Sequence, residues 1–326
     1  MNNPPKISIY ATVYNNGAVV ENSINSIIKQ FKSFRYDFEF VIVDNFSTDG
    51  TYEILQKFVK KYKNFKVIQM KCTKGVGRTV AYRNTIGAYT FYVDLDTIYL
   101  PGFSRLVYKI LSKYKTNSIF PFGFMDRKTA DSVIPWKDMN TYEDLEFSAR
   151  AVKNGLKVFL LPITISKNYI ITGNRDRRYA KGKIKLLKRL YRNTVYGIKG
   201  RGTANFEGIR ERYTGLQRLF VYLVLIGMKL SRDEIFKYSD FRSNLEYLKR
   251  NEILLNPKDF GVDNRYWFYY IQSRFLDLET VNALLSKHLK MGFNKITLLR
   301  NGLILVYTDK IDKQLFDYLL KFYQNY

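Results

Sequence analysis

Cysteine and histidine are almost missing from this chain: Cys72 and His288 are the only ones in 326 residues. The lone thiol excludes an internal disulfide and any multi-cysteine metal site, and the lone imidazole excludes a His-clustered metal centre. Acid is scarce too, with 29 Asp and Glu against 54 Lys and Arg, a net charge of +25. The apolar run Leu219–Met228 has ten residues, whereas a bilayer-spanning helix needs about 20. Residues 1–6 lead directly into a strand-like run without an apolar leader, so a cytoplasmic location is expected. Neither a Walker A sequence nor a G-x-G-x-x-G occurs, which removes the main support for P-loop and Rossmann dinucleotide readings.

What is present is a folded, strongly basic protein. Apolar residues make up 46% and aromatic residues 16% of the chain, enough to build a large core or two smaller ones. The charge is uneven. Residues 1–170 carry 24 basic and 14 acidic side chains, residues 171–201 carry 11 and one, and residues 202–326 carry 19 and 14. A surplus packed into 31 residues suits a polyanionic partner: an anionic membrane surface, a nucleic acid or a phosphorylated substrate.

Hydrophobic periodicity alternates between strand and helix over the first half. Residues 7–14 read as a strand ended by Asn15-Asn16-Gly17, residues 18–31 as a helix, and Phe38–Val43 as a strand covered on both faces. A helix over 52–62 and a strand over 65–70 follow. This β-α-β-α-β order predicts a parallel sheet flanked by helices. Residues 74–78, Lys-Gly-Val-Gly-Arg, read as a flexible cationic loop able to approach phosphate oxygens, with a short helix after them.

The centre of the pattern is Phe91-Tyr92-Val93-Asp94-Leu95-Asp96-Thr97, a buried strand that runs into two carboxylates. In an open α/β sheet ligands bind at the carboxyl ends of strands. A D-x-D on a bend there suits a hard divalent cation shared with phosphate oxygens, or it simply solvates a strand end. Asp44 closes the second strand and so falls on the same rim. Residues 103–114 read as a helix, 118–124 as extended chain, and 156–161 as a strand. Before that last strand, Thr141 reads as an N-cap, with Glu143 and Asp144 in the helix's first turn and Gly155 as its stop. Acids in a first turn complement the helix dipole; an Asp at that place near the rim is also positioned to act as a general base.

Four landmarks in this order resemble the family 2 glycosyltransferases, inverting enzymes of GT-A fold. They are the Ile7–Asn15 strand with its Thr-x-Tyr-Asn end, Val41-Ile-Val-Asp44 with Ser47–Thr51, Tyr92-Val-Asp94-Leu-Asp96, and Glu143-Asp144 followed by Arg150 and Gly155. The resemblance covers roughly residues 6–165. It implies a GT-A type α/β fold, a mostly parallel central sheet with helices on both faces. It further implies that Thr12, Tyr14 and Asp44 hold the nucleotide base and ribose, and that Arg78 reaches the diphosphate. Asp96, with Asp94 nearby, binds the sugar nucleotide through Mg2+ or Mn2+, and Asp144 deprotonates the acceptor hydroxyl with Glu143 beside it. The implied reaction moves a sugar from a nucleotide-diphosphate sugar to a glycan, glycoprotein or lipid-linked acceptor. Two departures stand out. Ser166-Lys-Asn168 occupies the neighbourhood where many relatives carry a metal-binding His, and the stretch between Gly75 and Gly87 lacks their common Ala-Arg-Asn.

The expected division is a nucleotide-sugar-binding domain over 1–170 and a basic, mainly helical region over 171–326. Residues 183–196 form a cationic amphipathic helix in this reading. Leu219–Met228 reads as a buried helix, or as one lying at a membrane interface beside the basic block, which would place the protein peripherally on an anionic membrane. The end of the chain, 277–326, reads as a helix–hairpin–helix unit around Asn301-Gly302. His288 is read as packing. A non-catalytic protein binding polyanions on the same scaffold, nucleic acid included, is the alternative from another class. A nucleotidyltransferase would need a Gly-rich basic loop after the first strand, and none is there.

Overall fold

The computed structural model describes residues 6–31, 38–140, 143–164, 166–168, 191, 194–195, 215–230, 241–273 and 276–324. The predicted cationic helix over 183–196 therefore lies almost wholly outside the described residues, as does Thr141. The first half alternates β1 (Ile7–Val13), α1 (Val20–Ile28), β2 (Phe38–Asp44), α2 (Thr51–Lys61), β3 (Phe65–Gln69), α3 (Lys74–Arg83) and β4 (Tyr89–Tyr92). After a bend come β5 (Thr97–Tyr99), α4 (Phe103–Lys113), β6 (Ser118–Ile119), β7 (Met125–Asp126), α5 (Arg127–Val133), α6 (Glu143–Lys153), β8 (Lys157–Leu160) and β9 (Ser166–Asn168).

The central sheet has the order β3-β2-β1-β4-β7. Its first four strands are parallel and β7 runs antiparallel on β4. Period-two side chains divide the strands between two cores. Ile7, Ile9, Ala11 and Val13 of β1, with Phe38, Phe40 and Ile42 of β2, pack under α1, α2 and α4. Tyr10, Val41 and Val43 face the other way, toward α3, α5 and α6. Each such fully buried apolar side chain is worth about 1.5–3 kcal/mol, so the register of the sheet is fixed from both sides. This is the α/β architecture expected from the sequence, a mostly parallel sheet with helices on both faces. Only Ser118–Ile119 of the extended run 118–124 is strand; a 3-10 turn at Pro121–Gly123 interrupts the rest.

The second half adds α7 (Gly215–Leu230), α8 (Phe241–Asn251), β10 (Ile253–Leu254), β11 (Phe268–Gln272), α9 (Leu278–Lys290), β12 (Lys295–Leu298), β13 (Leu303–Tyr307) and α10 (Lys313–Gln324). The β12–β13 hairpin has β11 as a third, antiparallel strand. Tyr269, Ile271 and Val306 pack with α9, and Phe268, Leu303 and Leu305 pack with α10. This half is stitched to the first. β10 pairs with β8, Leu248 of α8 joins the core under α6, and Ile163 bridges to Trp267. His288 is fully buried against Tyr269. The α7 helix is not wholly buried: Val221, Val224, Leu225 and Met228 form its inner face and the opposite face is open.

Candidate active site

The rim at the carboxyl ends of β1, β2 and β4 is built by two interlocked loops. Asn15 N–H donates to the Ser47 hydroxyl at 2.9 Å, Asn16 N–H to the Thr51 hydroxyl at 2.7 Å, and Gly17 N–H to the Asp49 carboxylate at 2.9 Å. Asn15 returns the favour by accepting from Thr48 N–H at 2.9 Å. The Ser47-Thr-Asp-Gly-Thr51 sequence is thus a clamp on the end of β1. Asp44 lies beneath it, fully buried, accepting from the Ser47 hydroxyl at 2.5 Å and from Gln69 Nε2 at 3.1 Å. Thr12 donates to the Lys74 carbonyl at 3.3 Å, while Tyr14 stands exposed beyond the strand.

Lys74–Arg78 is the first turn of α3, not a loop. Thr73 caps it by accepting from Val76 N–H at 3.4 Å. Both glycines are there for close approach: a Cβ on Gly75 would sit 1.8 Å from the Lys137 carbonyl oxygen, and one on Gly77 would sit 2.5 Å from Thr12 Cγ2. The tight seat drives Arg78 inward. Its side chain is only 2% exposed, with one guanidinium nitrogen 2.9 Å from Glu143 and another 3.0 Å from Asp94. The guanidinium lies over the Tyr92 ring at 4.1 Å and near Trp136 at 4.8 Å. Lys74 Nζ closes the group, 2.9 Å from Glu143 and 3.3 Å from Asp94.

Two cations and two carboxylates therefore balance at the rim, and Asp144 follows as a further acid. Glu143 is spent internally: buried, with Oε1 shared by Lys74 and Arg78. Asp94 keeps 45% of its side chain in solvent. Burial alone would raise its pKa, but Lys74 and Arg78 hold the carboxyl well below the usual range. Asp144 reaches the surface, yet the protein crowding its carboxyl, and next the adjacent Glu143, push its pKa up. Its Oδ1 accepts from Leu145 N–H at 2.9 Å. The Tyr99 hydroxyl accepts from Asp94 N–H at 3.0 Å and so pins the bend between β4 and β5.

A cavity of about 320 Å³ begins at Asp144 and Tyr92 and runs between α6 and the second half of the chain. Its far wall carries Lys249, Glu252, Tyr269 and Gln272. Sequence reasoning did not single out these four or Trp136. Trp136, stacked on Phe147 at 4.0 Å, sits in a stretch with no periodic signal.

For a divalent cation the donor set at the bend is Asp94 and Asp96. Among the described residues no three His, Cys, Asp or Glu side chains come together as a metal-holding group. Asp94 is already held by two cations, and Asp96 is partly exposed one residue before β5. Strand β9 pairs with β5 so that Asn168 stands opposite Thr97, next to Asp96, in the neighbourhood where the resemblance expects a His. One or two carboxylates fit Mg2+ or Mn2+ when substrate phosphates complete the coordination. They do not fit a closed protein cage.

Residues 8–165 match the sequence model of Glycosyl transferase family 2. That part of the chain belongs to this family. A poly(ribitol-phosphate) beta-glucosyltransferase of Bacillus spizizenii is 34% identical over 94 residues, which is 28% of this chain and 15% of that protein. The poly(ribitol-phosphate) beta-N-acetylglucosaminyltransferase TarS of Staphylococcus aureus is 34% identical over the same length, 28% of this chain and 16% of its own. The chain thus matches less than a fifth of the length of these relatives. Among solved structures, a mannosyltransferase of Pyrobaculum calidifontis aligns over 88% of this chain and 80% of its own at 12% identity and a TM-score of 0.47. TarS 1–349 aligns over 94% and 98% at 16% identity and a TM-score of 0.45.

Proposed function

We propose that the protein is an inverting glycosyltransferase that takes a sugar from a nucleotide-diphosphate sugar, with Asp144 as general base. The observation that carries this reading is the placement of Asp144. It sits beside the Lys74–Asp94–Arg78–Glu143 group on the ligand-binding rim of a family 2 domain and opens into the cavity behind α6. Thr12 and Tyr14 flank the base and ribose in this reading. Asp44 would exchange its Gln69 contact for a base N–H. Lys74, the more exposed of the two cations, faces the diphosphate, and Arg78 fixes Asp94 and Glu143 from below. Mg2+ or Mn2+ at Asp96 and Asp94 would neutralise charge on the departing diphosphate.

The acceptor enters through the cavity. Its hydroxyl loses a proton to Asp144 as its oxygen bonds the anomeric carbon and the bond to the diphosphate breaks on the opposite face, so an α-linked donor gives a β-linked product. A base whose pKa is raised toward the working pH is the more effective proton acceptor. Likeness to the poly(ribitol-phosphate) transferases, and the net charge of +25, favour a phosphate-bearing polymer as acceptor. The test is a screen of nucleotide sugars, with release of nucleoside diphosphate followed in the presence of candidate acceptors. Asp144→Asn should lower kcat by about 10²–10⁴-fold while donor KM stays put. Unchanged turnover in that variant would remove Asp144 from the chemistry.

A further inference from the structure

The α7 helix carries two apolar faces. Val221, Val224, Leu225 and Met228 are buried, with Phe220, Tyr222 and Val195 packed against them. On the other side Leu216, Leu219, Leu223, Ile226 and Leu230 are between 41% and 86% exposed. Their spacing of three, four, three and four residues lines them up along one side of a helix about 24 Å long. Exposed leucines scattered singly need no explanation, but a continuous row of five does. No Asp or Glu occurs between Glu211 and Asp233. The surrounding sequence, residues 171–230, has 15 basic and three acidic side chains.

That spacing also suits a coiled-coil seam with a second copy of the chain. Charge decides against it. In a +25 chain, α7 itself carries Arg218 and Lys229, and no acidic residue on the helix offsets them across a seam between two copies. An anionic lipid surface satisfies both features at once, taking the apolar row into the acyl boundary and pairing the basic residues with headgroups. Val195 packs on the inner face of α7. No helix among the described residues is long and apolar enough to cross a membrane.

We propose that α7 lies in the plane of a membrane surface, with Leu216, Leu219, Leu223, Ile226 and Leu230 inserted among anionic lipids. The inference is independent of the transferase reading, since none of these side chains belongs to the rim or the cavity.

The full chain should sediment with vesicles of equal parts phosphatidylglycerol and phosphatidylcholine, and much less with phosphatidylcholine alone. High salt should weaken the binding. Leu219→Gln combined with Leu223→Gln should reduce partitioning at least about tenfold. Both positions are exposed, so the thermal unfolding midpoint should not move. Wild-type protein that ignores anionic vesicles, or a double variant that partitions undiminished, overturns the proposal. So does a lipid-free dimer, seen by light scattering, that the same two substitutions dissolve.

Discussion

The molecule holds two buried groups of similar chemistry, and they behave differently. At the rim, Glu143 is held by Lys74 and Arg78, and Arg78 lies over Tyr92 and near Trp136. In the second half, Glu252 accepts from Lys249 at 3.0 Å and from the Tyr269 hydroxyl at 3.1 Å, and Tyr269 stacks on His288 with ring centroids 4.4 Å apart. The rim group continues outward, through half-exposed Asp94 to the surface and to Asp144. The second group ends inward, on a neutral imidazole. The carboxylate held by two cations, Glu143, shares both of them with Asp94, which reaches solvent. The carboxylate held by one cation and a phenol, Glu252, lies on the far wall of the cavity and leads back into the core at His288. In the proposed reading it is the outermost member of the rim group, Asp144, and not a buried pair, that does the chemistry.

The largest loss should follow removal of the more buried of the two cations that Glu143 and Asp94 share. Arg78→Met keeps the bulk over Tyr92 but leaves Glu143 and Asp94 with Lys74 alone. Stripping one partner from a buried ion pair costs about 3–5 kcal/mol, and Arg78 is almost fully buried. Urea unfolding should show a loss of that size. A loss under about 1 kcal/mol would mean that the guanidinium is solvated in solution and that the two groups are alike.

The inward end of the second group can be titrated. His288 Nδ1 lies 2.6 Å from the Leu284 carbonyl oxygen, so that nitrogen carries the proton. Burial, with Lys249 and Lys287 adding to it, lowers the pKa from 6.5 to about 4. The unfolded chain therefore binds a proton between those values while the folded chain does not. Stability is full above the unfolded pKa, falls as pH drops from about 6.5 toward about 4, and levels off below. The loss is about 3 kcal/mol. Comparing urea unfolding of wild type and His288→Phe across that range isolates it, because the phenyl ring keeps the stack and cannot titrate. Parallel pH curves for the two proteins would place the imidazole in water.

How far these features can be read from sequence depends on contrast. The strands β1 to β4 and the helices α1 and α2 are legible from their apolar periodicity, whereas the first turn of α3 reads as a loop. Asp94 is legible because it ends an apolar run. The fate of Arg78 is not, since nothing in Lys-Gly-Val-Gly-Arg says that Lys137 and Thr12 press on the two glycines and turn the arginine inward. Glu143 reads as a helix-start acid for the same reason; its partners are 65 and more residues away. The α7 helix loses its periodicity because both its faces are apolar, so the exposed row merges with the buried one. Among the described side chains of α8, Leu245 and Leu248 are the buried apolar ones. The cavity wall of Lys249, Glu252, Tyr269 and Gln272 is assembled from the end of α8, the residue just after it, and β11, which only folding brings opposite α6.

The smallest effect should come from neutralising the carboxylate of the second group. Glu252→Gln preserves shape and leaves a carbonyl oxygen for the Tyr269 hydroxyl, but Lys249 then faces an amide. Lys249 is not trapped as Arg78 is: 16% of its side chain meets solvent, and its flexible stem lets the ammonium swing out. The cost is then one charge-assisted hydrogen bond, about 1–3 kcal/mol, below that of Arg78→Met. Urea unfolding of the two variants side by side gives the ordering. If Glu252→Gln costs as much as Arg78→Met, Lys249 has no path to solvent. The second group would then be a fully buried ion pair, and the distinction between an outward-facing and an inward-facing group would fail.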